Sequence, residues 1–317
     1  MDAYLRGYYG YKNFGDEMLF FGVIKHIIES YHIDKLYVEV EDENWMHQRM
    51  TKNAEFCLEN ARFYTAKIYF VENAPQKRKW MHYIKIALGK TPYKKMYKFF
   101  GGGEVLTDER KSPHDGRNIL LLFGLNIRKR AFTLLGGIAP PRKVRTHFLY
   151  RLLLPRATSL ILRDSASCEL VQKYNPKATL HEDFALSIIR KWQKTCSQEK
   201  VLEKKNPYIL ININQQELTE QNIEEIQNFC QKYPLHERYF FPCDQKDDTK
   251  CYTRLKKHIP DLLHYDRTQH HLQTTLSLFK HADAGIGCRL HFLLPLQTYG
   301  KPLQAIPYAH KIKSIIK

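Results

Sequence analysis

Residues 3–28 read AYLRGYYGYKNFGDEMLFFGVIKHII. A short apolar run, Ala3–Tyr9, gives way to three glycines, an Asn and two acids, and then to an amphipathic stretch, Met18–Ile28. That order predicts a strand, a tight turn and a helix. Asn13 can accept the first helical N–H groups, and Asp16 and Glu17 complement the positive end of the helix dipole. Capping alone accounts for these residues. A second role is open to them, because a helix N-terminus beyond a strand offers unpaired N–H groups to an anion. The spacing is not G-x-G-x-x-G, so nothing here points to a nicotinamide cofactor.

The alternation runs on through the chain. Strands are expected at Lys35–Val40, Ile68–Val71, Met96–Phe100, Ala131–Leu135 and Thr158–Leu162, with helical patterns between most of them. The texture turns polar at RKWQKTCSQEKVLEKKNP, residues 190–207, and the alternation then restarts. Strands follow at Tyr208–Ile213, Tyr239–Pro242, Leu262–Tyr265 and Ala284–Ile286, and helices at Glu220–Lys232, Lys246–His258, Leu272–His281 and Leu290–Tyr299. The fold class this implies is α/β, with two Rossmann-like domains facing across a cleft. The expected divisions are an N-terminal domain over 1–188, a linker over 189–206, a C-terminal domain over 207–300, and a tail over 301–317 that closes back toward the N-terminal domain. In open α/β sheets ligands bind beyond the carboxyl ends of the strands, so the strand-to-helix turns are where chemistry is expected.

Length and composition fit that picture. The 317 residues are 43% hydrophobic, enough for two cores. No apolar run approaches the ~20 residues of a membrane span, and MDAYLRGYYG does not read as a signal peptide. Seven cysteines form no CxxC pair, as expected of reduced thiols in a cytoplasmic protein. No His, Cys or Asp cluster has metal-ligand spacing, so no metal is expected.

The net charge of +17 is unevenly placed. Residues 73–163 carry 20 Lys+Arg against 4 Asp+Glu, whereas residues 1–72 carry 8 against 12. Such a field attracts phosphates, whether on nucleic acid, lipid or a small molecule. Its densest part, QKRKWMHYIKIALGKTPYKKMYK at 76–98, holds eight Lys+Arg and no acid, interleaved with apolar residues. It reads either as a solvated helix with one buried face or as a segment resting on an anionic membrane. No zinc finger, RNA-recognition or helix-turn-helix signature accompanies it, so no specific nucleic acid is expected.

Four more turns carry candidate chemistry. FFGGGEVLTDER, 99–110, is expected to end a strand in Gly101, Gly102 and Gly103, either as a flexible loop or so that backbone N–H groups can approach a ligand. It lacks the GK[ST] of a P-loop. LLGGIAPP, 134–141, fits a cleft-lining turn or plain punctuation. LILRDSASCELV, 160–171, places Arg163 at a strand end, as an anion clamp or as the partner of Asp164 or another local acid, with Asp164 or Ser165 capping the next helix. In HEDFAL, 181–186, Asp183 is a possible hinge contact. GIGCRLHFLLPL, 285–296, puts Arg289 and His291 at the N-terminus of an apolar helix, where the dipole already favours an anion. His291 serves equally well as a proton donor or as a satisfied structural histidine.

Taken together, GYYGYKNFGDE, FFGGGEVLTD, ILRDSAS and G-x-G-x-RLH followed by IPYAHKI resemble the polysaccharide pyruvyl transferases, in that family's order and over both halves of the chain. The resemblance implies a GT-B-like fold and transfer of the enolpyruvyl carbons of phosphoenolpyruvate to a sugar of a cell-surface polysaccharide or its lipid-linked precursor, forming a cyclic ketal. Phosphoenolpyruvate is then a co-substrate, and no cofactor is implied. Carried over residue by residue, Arg163, Arg289 and His291 handle phosphoenolpyruvate, and Leu290 lends backbone contacts. Asn13, Gly15, Asp16 and Glu17 lie near the acceptor or the cleft floor, and Gly101, Gly102, Gly103 and Glu104 line the opposite wall. His291 is the expected acid, with Asp16, Glu17 and Glu104 as alternative bases. Where members read Tyr-Asp-Pro-Lys near the end, this chain has Tyr308-Ala309-His310-Lys311. The rival enzyme reading is a GT-B glycosyltransferase using a nucleotide sugar.

Overall fold

A computed structural model describes residues 1–57, 67–72, 96–108, 132–195 and 206–306. Most of the basic stretch 76–98 and the tail from 307 onward, including Tyr308 and His310, lie outside the described residues. The chain divides into two compact units. The first holds Met1–Tyr11, Leu19–Met50 and Cys57–Phe184, and the second holds Lys12–Met18, Thr51–Phe56 and Ala185–Lys317.

The first unit is built on β1 (Asp2–Arg6), β2 (Lys35–Val40), β3 (Lys67–Glu72), β4 (Tyr97–Leu106), β5 (Phe132–Ile138), β6 (Ser159–Leu162) and β7 (Thr179–Leu180). They form one parallel sheet in the order β3-β2-β1-β4-β5-β6-β7. Every residue of β5, FTLLGGI, is buried, as a strand covered on both faces requires. Helix α1 (Phe14–Ser30) is apolar almost all round, and α2 spans Glu43–Cys57. Helix α3 (Val144–Leu153) buries Thr146, Tyr150 and Leu153, the last two in a core shared with Leu134, Leu160 and Leu162, and α4 (Ser165–Gln172) adds Cys168 and Val171 to it. Asp108 prepares α3: its carboxylate accepts the backbone N–H groups of Arg142 (2.9 Å) and Lys143 (2.9 Å). Burial pushes that carboxyl up, but these N–H groups, the Thr146 hydroxyl and the Lys143 charge outweigh it and hold the group below its ordinary value.

The second unit carries β8 (Tyr208–Asn212), β9 (Glu237–Phe240), β10 (Leu262–His264), β11 (Ala284–Gly287) and β12 (Leu303–Ala305). They form a parallel sheet in the order β10-β9-β8-β11-β12. Its helices are α5 (Phe184–Thr195), α6 (Glu220–Gln231), α7 (Asp248–His258), α8 (Leu272–His281) and α9 (Leu290–Thr298). Ile209, Ile211, Ile226, Phe240, Leu255 and Ile286 fill its core. In both sheets the order reverses once, between β1 and β4 and between β8 and β11, and the crevice beyond that reversal is where such folds bind ligands.

The α/β class and the two parallel sheets are as expected. Four details differ. Strand β4 does not end at Phe100 but continues through Gly101–Gly103 to Leu106, because the glycines form a bulge rather than a loop. The pairing with β5 shifts register between Gly101 and Glu104, with φ of 84° at Gly102 and 41° at Gly103. Strand β12 lies inside the stretch expected as tail, and β7 was not anticipated, since two or three residues at a sheet edge carry no alternation to read. The stretch expected as a linker begins inside α5 and continues into residues 196–205, outside the described set.

The bulge depends on a second glycine across the strand pair. A Cβ on Gly136 (φ 144°) would lie 2.7 Å from the carbonyl oxygen of Gly103 and 3.0 Å from that of Gly102. Gly136→Ala is therefore expected to lower stability by about 1–3 kcal/mol, read as a lower urea midpoint for the first unit. An unchanged midpoint would show that the bulge tolerates a side chain.

Candidate functional site

The sequence-predicted residues divide between the units. In the first unit, Arg163 follows β6, and its backbone N–H donates to the carbonyl of Gly136 at 3.3 Å. Its side chain is buried. Nη1 donates to Asp183 at 3.3 Å, and Nε lies 3.9 Å from Asp164. Asp183, itself 2% exposed, is thus a charge partner of Arg163. Asp164 also caps α4, accepting from the Ser167 N–H at 2.8 Å and its hydroxyl at 2.9 Å. Gly101 and Gly102 pack against the Tyr9 ring, so the ring occupies the space their missing side chains leave. Glu104 is half-buried on β4, in register with Gly137.

The second unit brings together the two motifs that lie farthest apart in the sequence. Asn13 caps α1: its Oδ1 accepts from the N–H groups of Gly15 (2.9 Å) and Asp16 (3.3 Å), and its carbonyl accepts from Glu17 N at 3.0 Å. Asn13 also bridges to Asp244, while Phe14 N donates to the Cys243 carbonyl at 2.7 Å. Gly15 then lies against His291. A Cβ there would stand 2.6 Å from the imidazole Cγ and 2.8 Å from the His291 Cβ. Glu17 is buried, accepting from Arg267 Nη1 at 3.1 Å and from Asn53 Nδ2 at 3.4 Å. Arg267 Nη2 also donates to the Lys12 carbonyl. Asp16 is half-buried beside these residues in the first turn.

Arg289 forms the N-cap of α9, which no side chain caps, and Arg289, Leu290 and His291 are all half-buried at that helix end. Arg289 is held by Asp248, a residue the sequence presented only as an acid at a helix start. Its Nη2 donates to Asp248 Oδ1 at 2.6 Å, with side-chain exposures of 24% for the arginine and 0% for the aspartate. Asp248 Oδ2 accepts the N–H groups of Cys243 (3.0 Å) and Asp244 (3.0 Å) and Nδ2 of Asn212 (3.3 Å). Asn212, at the end of β8, in turn accepts the Arg289 N–H at 3.3 Å. Burial alone would pull the guanidinium pKa down, but the Asp248 carboxylate outweighs it and raises it, so Arg289 stays charged. Among the described residues, its Nε is buried without a hydrogen-bond partner. The arrangement presents one fixed cation with a donor to spare, at a helix N-terminus beside an imidazole. An anion fits there on charge and on hydrogen bonding.

Three thiols surround this pair. Burial pushes Cys251 up to about 11 and Cys288 up to about 12, and lifts Cys243 well above its ordinary value. Among the described residues no group of His, Cys, Asp or Glu could hold a metal ion.

A protein-family model described as polysaccharide pyruvyl transferase matches residues 13–295. The chain belongs to that family. The chain also resembles solved UDP-GlcNAc 2-epimerases in fold. The Neisseria meningitidis enzyme bound to UDP-GlcNAc gives a TM-score of 0.64 at 8% identity, covering 99% of this chain and 85% of that one. The S. aureus MnaA–UDP structure gives 0.66 at 8% identity, covering 98% and 80%. The Methanocaldococcus jannaschii enzyme gives 0.61 at 11% identity, covering 99% and 86%. At these identities the likeness shows the fold, which is GT-B-like. A comparison with curated proteins finds no match.

The sequence missed Asp248, Asn212 and Arg267. Asn212 left a signal, an amide inside the apolar strand YILIN, where a buried polar group needs partners. Two measurements test the geometry. Removing either Arg163 or Asp183 takes an opposite charge at 3.3 Å away from a buried group, so Arg163→Met and Asp183→Leu should each destabilise by about 1–3 kcal/mol and the double variant by clearly less than their sum. Additive losses would break the pairing. Alanine is the better helix former by about 1 kcal/mol, yet Gly15→Ala should lower the melting temperature because it displaces His291. In a His291→Gly background, which removes every contacting side-chain atom, the same change should raise it. The same sign in both backgrounds would remove the contact.

Proposed function

We propose that this polysaccharide pyruvyl transferase takes its pyruvyl group from phosphoenolpyruvate and forms a pyruvate ketal on a sugar of a cell-surface polysaccharide or its lipid-linked precursor. The observation that carries the reading is Arg289, a cation fixed by a carboxylate that water does not reach. It keeps a donor free at the uncapped N-terminus of α9. A small dianion is the chemistry that such a group recognises.

Ketal formation needs a proton at the methylene carbon of phosphoenolpyruvate. One sugar hydroxyl then adds to C2, and a second hydroxyl on the same sugar displaces inorganic phosphate. In this reading Arg289 and the α9 N–H groups bind the anion. His291 gives the proton, a contribution of about 10²–10⁴-fold. Asp16 takes the proton of the attacking hydroxyl. Glu17, buried against Arg267 and Asn53, holds the first turn of α1 in place instead. The rival reading, a nucleotide-sugar glycosyltransferase, draws on the structural likeness to epimerases solved with UDP-GlcNAc or UDP.

The test combines the chain with phosphoenolpyruvate and a panel of nitrophenyl and lipid-linked sugars, and follows phosphate release. Turnover is expected with at least one sugar, and Arg289→Ala should reduce it by at least about 10²-fold. Phosphoenolpyruvate, and not UDP, should raise the melting temperature. Stabilisation by UDP alone would move the chain to the rival reading.

A further inference from the structure

Away from that site, the described part of the first unit has one surface where apolar side chains stand in water among cations. Helix α3 is fixed to the unit by Thr146, Tyr150 and Leu153. Its opposite side is unlike an ordinary solvated helix. Val144 is 89% exposed and Phe148 61% exposed, one turn apart. At about 100° per residue, the half-buried Leu152 continues their stripe, and Arg145 and Arg151 lie along its two edges. Residues 142–156 hold Arg142, Lys143, Arg145, Arg151 and Arg156 and no acid, and all five cations are exposed. Beside the stripe is an open hollow of ≈ 430 Å³ whose lining includes His147, Arg151, Lys173 and Tyr174. The Tyr174 hydroxyl lies 3.1 Å from His147 Nδ1, and the hollow is wide enough for a phosphate group.

We infer that the exposed face of α3 docks on an anionic phospholipid bilayer, with Val144 and Phe148 entering the interface, the arginines among headgroups, and a lipid phosphate in the hollow bounded by Arg151 and Lys173. Isolated exposed apolar residues are normal on soluble proteins. A contiguous pair ringed by arginines and laid on a helix that runs along the surface matches what an interfacial helix requires. Charge complementarity selects an anionic surface, and each cation near such a surface strengthens attachment about fivefold. The aliphatic Val144 and Leu152 separate this partner from RNA. A nucleic acid would use the same arginines, but it gains nothing from aliphatic groups and stacks on aromatic faces.

The test is co-sedimentation of the full chain with vesicles of phosphatidylcholine, alone or with about 30% phosphatidylglycerol, at low and high salt. Binding to the anionic vesicles only, lost at high salt, is expected. Val144→Ser with Phe148→Ser, and separately Arg145→Gln with Arg151→Gln, should each weaken partitioning about tenfold or more. These positions are exposed, so far-UV circular dichroism should be unchanged. No binding to anionic vesicles overturns the inference. So does undiminished binding by both double variants, which would place the contact elsewhere on the chain. A dimer that the Val144/Phe148 variant dissolves would assign the face to a second copy. Retention of poly(U) that needs the arginines but ignores Val144 and Phe148, without vesicle binding, would assign it to nucleic acid.

Discussion

Asp248 carries its carboxylate where water does not reach, and such a group is tolerated only when donors surround it. Two backbone N–H groups from the turn after β9 and the Asn212 amide at the end of β8 meet one oxygen, and Arg289 at the start of α9 meets the other. Three segments at the ends of the neighbouring strands β9, β8 and β11 are therefore tied to a single carboxylate. The consequence for chemistry is positional. A guanidinium on a free side chain samples many rotamers, whereas this one is held by a short charged bond and offers its remaining edge in one direction. Because the partner is fully buried and the arginine is not, the pair is asymmetric: the aspartate is fixed by the fold, and the arginine faces outward.

A second constraint is close approach. The first turn of α1 and the first turn of α9 can meet only because residue 15 has no side chain, which leaves room for the His291 ring. The buried bond of Glu17 to Arg267 then keeps that turn from drifting. In the first unit glycine does related work at the end of β4, where carbonyls of the bulge lie nearly against Gly136. In both regions neighbouring segments crowd the main chain, and there the small residues serve packing before any ligand is considered.

Much of this could be read from the sequence. The strand–glycine–helix punctuation gave the α/β class, and helix α8 was legible to the residue because His271 and Ala282 both leave helical geometry at its ends. Arg289 and His291 stood out because they head an apolar helix, where the dipole already favours an anion, although the sequence left a structural role for His291 equally open. What stayed hidden depended on partners distant in the chain. Asp248 looks like any acid in a helix's first turn, and only the fold puts Arg289 beside it. Glu17 resembled Asp16, yet one is locked inside and the other half-exposed. The triple glycine looked like a break, because nothing local announces that a strand can resume past a bulge.

The cysteines flanking the Arg289–Asp248 pair have a chemical corollary. Only a thiolate reacts readily with oxidants and alkylating reagents, and burial leaves Cys251 and Cys288 almost wholly protonated at neutral pH. Sulfur therefore sits beside the guanidinium as dense, polarisable filler, slow to react with oxidants for as long as this corner stays folded. Labelling of those sulfurs would then record the moments when the corner opens.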